Sequence, residues 1–444
     1  MIAVVVNGGS TDDGRSSKGR RLLFRIASVV FALILATVVA ELALRIFTNV
    51  LLGEKRTAVF YDRYNTTPRG MYFHDLQAGM NFMWPSVEMT AYSHGYFWNH
   101  RTDARGFRNT PERQGTDVLL LGDSLVYGHG LDDDKTVTSI LHKDYGYSAY
   151  NMARQGDCLY QQYVLTRLFL DEFTPQTILL FVFSNDLVDL GKIREPGQID
   201  RAPEIDLHNY AAIRGRIKQK GANKPRIPFY RRFIIPRLLV ASGRSQKADA
   251  KGKGSAGKRR EKILALQRQG VLPPPGEVLD IEYARRVLSI PKFRRRITGN
   301  WRTLDAASLS VAEQYYRRIL LDLKRRCDER QTRLVIVNLA LIQDGYWRAN
   351  IARSIGSIGE KFGIEITQEA RDYVSDFKLD LRAKSVAQVG AMTAVVARDV
   401  QVEYLDLSKD FRSIDNYLPN DGHLSPEGHR RLAERLNRLL SSNP

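Results

Sequence analysis

Asp117-Val118-Leu119-Leu120-Leu121-Gly122-Asp123-Ser124-Leu125-Val126-Tyr127-Gly128 decides how this chain folds. Four consecutive apolar residues that stop at a glycine suit a strand buried on both faces, as in a parallel sheet. Ser124 then stands at the carboxyl end of that strand, the edge where open parallel sheets bind ligands. A serine hydroxyl is a poor nucleophile at neutral pH unless an imidazole takes its proton and a third group orients the imidazole. The chain supplies both types far away, in Asp421-Gly422-His423.

Outward from this strand, residues 136–144 read as a helix, 148–151 as a second strand, 160–173 as a helix and 177–183 as a third strand. Regularity then stops until about residue 303 and resumes with a helix over 311–326, a strand over 333–341, helical sequence to about 398, and a strand over 402–407. Ser425 as N-cap and Pro426 at the first helical position open a last helix to Leu440. Strands alternating with helices predict a flavodoxin-like three-layer α/β/α fold with a five-stranded parallel sheet. In that fold Ser124, then Asn151 and Gly156, then Ser184-Asn185-Asp186, and finally Asp421 and His423 all follow strand ends, and so share one edge.

Taken together, these blocks resemble the SGNH, or GDSL, hydrolase family. Gly122-Asp123-Ser124 matches its first block, Gly156 its second, Asn185-Asp186 its third and Asp421-Gly422-His423 its last, over residues 117–190 and 332–440. The resemblance implies Ser124 as nucleophile, His423 as general base and Asp421 as its orienting carboxylate. It also implies an oxyanion hole made by the Ser124 and Gly156 backbone N–H groups and the Asn185 side chain. Two positions depart from the family pattern. Phe183 stands where the third block usually has glycine, and Asn420 stands three before His423, where the last block usually has aspartate. The two-residue spacing of Asp421 and His423 is also found in SGNH-like polysaccharide O-acetyltransferases. Asp421 is preferred to Asn420 because a carboxylate stabilises an imidazolium and an amide does not. His129 is too close to Ser124 in sequence to serve as the base and is expected to line the cleft, while His429 is expected on the exposed face of the last helix.

The N-terminal 20 residues have little to bury and read as a disordered cytoplasmic tail. Arg15, Lys18, Arg20, Arg21 and Arg25 precede an uncharged run from Ile26 to Ala40, and residues 22–44 suffice to cross a bilayer if Arg25 and Glu41 reach its interfaces. Residues 21–45 are therefore read as a membrane anchor or signal sequence. Val38-x-Ala40 resembles a cleavage site, but the apolar stretch continues through Leu44, which favours an uncleaved anchor. Basic residues on the N-terminal side keep that end cytoplasmic and put the rest of the chain outside, periplasmic in a Gram-negative bacterium.

Residues 50–115 form an aromatic-rich cap segment, residues 116–190 and 304–444 the hydrolase domain, and residues 191–303 an insertion. Of the net charge of +18, the stretch 213–262 carries an excess of +15, from 17 Lys and Arg against Asp249 and Glu261. Charge confined to one inserted segment, on a chain expected outside the cytoplasm, argues against a nucleic-acid partner. Residues 247–258 are low in complexity and read as a loop. Cys158 and Cys327 match no metal spacing and leave free thiols and a disulfide both open.

The expected activity is that of a serine esterase or acyl hydrolase needing no cofactor or metal and acting on an ester-bearing small molecule, lipid or glycan. Two alternatives remain: an O-acyltransferase whose aromatic cap and basic insertion hold a polysaccharide, and a non-catalytic membrane-associated binding protein with the same fold.

Overall fold

A computed structural model of the chain describes residues 14–51, 71–75, 80–93, 96–109, 116–186, 212–213, 215–216, 219, 264–265, 267–270, 273–274, 276–290, 304, 306–340, 364–419 and 421–442. The chain divides into two compact units, Met1–Phe60 with Ile227–Lys247, and Tyr61–Arg226 with Ala248–Pro444. In the first, the described residues form one helix, α1 (Gly14–Leu51). Its segment Leu23–Ala40 is long and apolar enough to cross a membrane and is exposed throughout. Its two hydroxyls are satisfied within the helix: Ser28 donates to the Phe24 carbonyl (2.9 Å) and Thr37 to the Leu33 carbonyl (2.8 Å). Such internal satisfaction is what a lipid environment demands of a polar group.

The second unit opens with two antiparallel hairpins, β1 (Tyr72–Asp75) with β2 (Met80–Met83) and β3 (Glu88–Ser93) with β4 (Tyr96–Arg101). The doubly wound part follows: β5 (Val118–Leu121), α2 (Ser124–Tyr127), α3 (Val137–Tyr145), β6 (Ala149–Asn151), α4 (Leu159–Phe169), β7 (Thr177–Val182), α5 (Ile281–Ser289), α6 (Ala306–Asp328), β8 (Arg333–Asn338), α7 (Gln368–Asp399), β9 (Glu403–Asp406) and α8 (Pro426–Ser441). The five later strands form one sheet in the order β6-β5-β7-β8-β9, and every pairing is parallel. This is the flavodoxin-like order, with its switch point between β5 and its two neighbours. Helix α3 packs with α8, and α6 packs with α4 and α7. Right-handed crossovers on either side of the switch point put these two groups on opposite faces. The sheet with its flanking helices is the α/β architecture expected of an SGNH hydrolase.

Strands β5 and β7 are buried at every residue, which is why they read as unbroken apolar runs. The first hairpins are part of the same core: Tyr72, Phe73, Phe82, Trp84 and Trp98 pack with the sheet residues. The aromatic spacing that shows no period in the sequence thus serves short strands packed into the core of the α/β domain, with residues of both faces buried in β1 and β2. The insertion contains an element where none is expected. Helix α5, capped by Asp280 accepting from the Tyr283 N–H (3.0 Å), buries Ala284 and Leu288 against Ile366, Ala370 and Val374 at the start of α7. The low-complexity run 247–258 and the N-terminal tail over residues 1–13 lie outside the described residues. Both cysteines are buried free thiols.

Candidate active site

The position of Ser124, the candidate nucleophile, is built by the end of β5. A Cβ on Gly122 would lie 2.7 Å from Val126 Cγ2 and 3.4 Å from Phe181 Cβ, so only glycine lets the chain turn here between β7 and α2. Asp123 caps α2 by accepting from the Leu125 N–H (2.8 Å), which makes Ser124 the first helical residue. The turn is braced from elsewhere. Asn151 donates to the Val126 carbonyl (3.3 Å), and buried Arg108 donates to the carbonyls of Tyr127 (3.2 Å) and Gly128 (2.7 Å) while pairing with Asp133 (2.7 Å).

The histidine arrives on the loop between β9 and α8. That loop is pinched by an antiparallel bridge between Tyr417 and Leu424, with the Leu418 N–H donating to the His423 carbonyl (2.9 Å) and the Asp421 N–H to the Leu418 carbonyl (3.0 Å). In so tight a turn the Asp421 carboxylate folds back on the residue two ahead. Its Oδ1 accepts from the His423 backbone N–H (3.3 Å) and lies 2.6 Å from His423 Nδ1, and His423 Nε2 lies 2.8 Å from Ser124 Oγ. An ionised carboxylate can only accept, so Nδ1 carries the proton and Nε2 presents its lone pair to the serine hydroxyl. The two-residue spacing therefore closes a full serine–histidine–aspartate line. Asn420 lies outside the described residues.

Ser124, Gly156 and Asn185 follow three neighbouring strands, β5, β6 and β7. The chain beyond β6 keeps pairing with β5, through Met152 N–H to the Leu120 carbonyl (2.9 Å) and Arg154 N–H to the Gly122 carbonyl (3.3 Å), and so delivers Gly156 beside the nucleophile turn. Gly156 has φ +78, a left-handed conformation that strains any other residue. Around it, Arg154 forks onto Asp157 (2.8 and 2.9 Å), donates to the Asn81 carbonyl and lies 5.2 Å over the Phe82 ring, while the Gln155 N–H donates to Tyr72 Oη (3.1 Å). Burial pushes the Asp157 carboxyl up to about 6 against the opposing pull of Arg154. Beyond β7, Asp186 closes the turn by accepting from the Phe183 N–H (2.8 Å), which leaves Asn185 half-buried at the rim. Phe183, in the place of the family's glycine, is buried.

No family model matches the chain, and no curated protein matches it. Solved structures do. The crystal structure of TesA is similar at 10% identity and a TM-score of 0.33, over 74% of this chain and 98% of its own. A GDSL-like lipase from Bacteroides thetaiotaomicron matches at 7% identity and a TM-score of 0.32, over 74% of this chain and 88% of its own. The extracellular lipase of Streptomyces rimosus matches at 10% and 0.28, over 73% and 99%. At these identities the likeness concerns the fold alone, and the chemistry has to come from the side chains.

Two histidines stand differently from expectation. His429 is fully buried rather than exposed, because α8 turns its first-turn face to α3, where His429 Nδ1 accepts the Val137 N–H (3.0 Å) at the helix start. Burial, with Arg108 and His423 nearby, holds its imidazole down to about 3. His129 does more than line a cleft: its ring stacks on His423 with centroids 4.0 Å apart and planes at 22°, with Trp98 on another side at 4.7 Å. Behind Trp98, its indole N–H donates to Tyr127 Oη (3.1 Å), which lies 2.6 Å from His100 Nδ1. Trp98 and His100 come from the cap hairpin, and nothing in their local sequence signals a place at the site. Donor atoms of His129, Asp421 and His423 approach within 4.8 Å, the metal-like cluster found among the described residues. With His423 Nδ1 protonated toward Asp421, that nitrogen presents no lone pair to a cation.

Proposed function

We propose that the chain is a serine esterase or acyl hydrolase of the SGNH type, held to a membrane by α1 with its catalytic unit on the extracytoplasmic side. The observation that carries this reading is the unbroken line from Asp421 Oδ1 to His423 Nδ1 (2.6 Å) and from His423 Nε2 to Ser124 Oγ (2.8 Å). In it Ser124 Oγ attacks an ester carbonyl while His423 Nε2 takes the hydroxyl proton, and Asp421 stabilises the resulting imidazolium. Negative charge on the carbonyl oxygen is met by the Ser124 and Gly156 N–H groups and the Asn185 amide, which adds a donor without adding charge. Collapse expels the alcohol with the proton from His423. Water then attacks the acyl-enzyme, giving its proton to His423, and collapse breaks the bond to Ser124 Oγ, which takes that proton from His423 as the acid leaves. The five basic residues before the apolar part of α1 set the orientation of the anchor.

Transfer of the acyl group to a sugar instead of water would need a surface for the sugar. Among the described residues, the cap aromatics Tyr72, Phe73, Phe82, Trp84 and Trp98 are buried in the core rather than displayed for stacking, which supports water as acceptor. A fluorophosphonate probe is expected to label the full-length protein in detergent and to leave Ser124→Ala unlabelled. Esterase activity persisting in Ser124→Ala would overturn the assignment.

A further inference from the structure

We propose that His129 is a positioning residue that holds the Asp421 carboxylate and the His423 ring in their working orientation, and links both to the loop bearing Gly156. The inference rests on the serine-hydrolase reading above. His129 is buried, and its backbone N–H donates to the Ser124 carbonyl (3.1 Å), so the residue is tied to the nucleophile turn itself. Its Nδ1 lies 2.6 Å from Gln155 Nε2 and its Nε2 lies 3.7 Å from Asp421 Oδ2. An amide NH2 can only donate, so Nδ1 is the acceptor and the ring proton sits on Nε2, on the side of the Asp421 carboxylate.

The carboxylate is therefore addressed by two imidazoles, His423 at Oδ1 and His129 on the side of Oδ2. At 3.7 Å the His129 N–H is outside hydrogen-bond reach of Oδ2, and it acts on the buried carboxylate as a nearby dipole that favours one orientation of its plane. The stack at 4.0 Å also blocks the swing of the His423 ring away from Ser124. With the Gln155 amide donating to Nδ1, the ring stacked on His423 carries its proton at Nε2. Gln155 precedes Gly156 directly, so one contact couples the base to the oxyanion loop.

His129→Phe keeps a stacking ring and removes both nitrogens, while His129→Gln removes the ring and can return a donor to Asp421. With p-nitrophenyl acetate as substrate, His129→Phe is expected to lower kcat about 10- to 100-fold with KM unchanged, the size seen for outer partners of functional histidines. His129→Gln is expected to recover part of that loss, with the far-UV circular dichroism of both variants matching wild type. Wild-type kcat in His129→Phe would overturn the proposal, as would a loss in His129→Gln no smaller than that in His129→Phe, which would show that a donor returned toward Asp421 restores nothing. Failure of the underlying reading shows separately, as wild-type protein that fluorophosphonate does not label, and the proposal would fall with it.

Discussion

Replacing Asp421 by asparagine tests the least conventional joint of the site. Asp421 Oδ1 lies 2.6 Å from His423 Nδ1, and at an effective dielectric of about 20 a full charge there attracts an imidazolium by roughly 6 kcal/mol. The amide keeps the shape and one acceptor, so the hydrogen bond is partly retained and the charge is lost. If the amide turns its NH2 toward His423, the ring is driven to the wrong tautomer, with a proton facing Ser124. Either way, kcat/KM for p-nitrophenyl acetate should fall about 10³- to 10⁴-fold, or roughly 4 to 5.5 kcal/mol of transition-state stabilisation. The assay is a kcat/KM profile from acid to alkaline pH, with Asn420→Ala run beside it as a variant expected to keep activity. Asp421→Asn within about tenfold of wild type across the profile, or loss of activity in Asn420→Ala instead, would refute the reasoning.

On the proposed mechanism, Asn185→Ala removes one donor from the developing oxyanion and should cost about 10²- to 10³-fold in kcat with little change in KM, measured with the same ester. Gly122→Ala puts a Cβ 2.7 Å from Val126 Cγ2 and should destabilise the fold by about 1 to 3 kcal/mol, read as a lower denaturant midpoint. His100 and His429 are both held down to about 3, mainly by burial, so below the ordinary histidine range the folded protein binds fewer protons than the unfolded chain. The stability they confer is complete above about pH 6.5 and is lost as pH falls toward 3, at about 1.4 kcal/mol per pH unit for each residue. Denaturant midpoints at pH 7 and 4.5 should show the fall, and His429→Gln, whose amide oxygen can still accept the Val137 N–H, should show a smaller one.

The strands and helices of the α/β unit were legible because each is written in local chemistry. Runs such as Val118–Leu121 and Thr177–Val182 are apolar throughout since both faces are covered, and Ser425-Pro426 marks a helix start by capping alone. Helix α6 begins at Ala306, before the expected 311, because its first residues are small and polar and carry no periodic signal. The insertion hid α5 because only two of its residues, Ala284 and Leu288, are buried, too few to stand out among basic neighbours. His429 was misplaced because a histidine on an amphipathic helix reads as polar, and burial by α3 is a fact about a segment almost 300 residues away.

Sequence alone determined the order of the elements and the sheet edge that carries the polar residues, and it named Ser124, His423, Asp421, Gly156 and Asn185 as candidates. Tertiary structure decided which of them meet. The two-residue spacing of Asp421 and His423 works because the Tyr417–Leu424 bridge turns the carboxylate back onto the ring. Likewise Tyr72, Phe82 and Trp98 from the cap reach the loop of Gly156 and the ring of His129. Propensity and periodicity act over a few residues, whereas a proton line needs atoms about 3 Å apart from positions hundreds of residues distant, and only packing sets such distances.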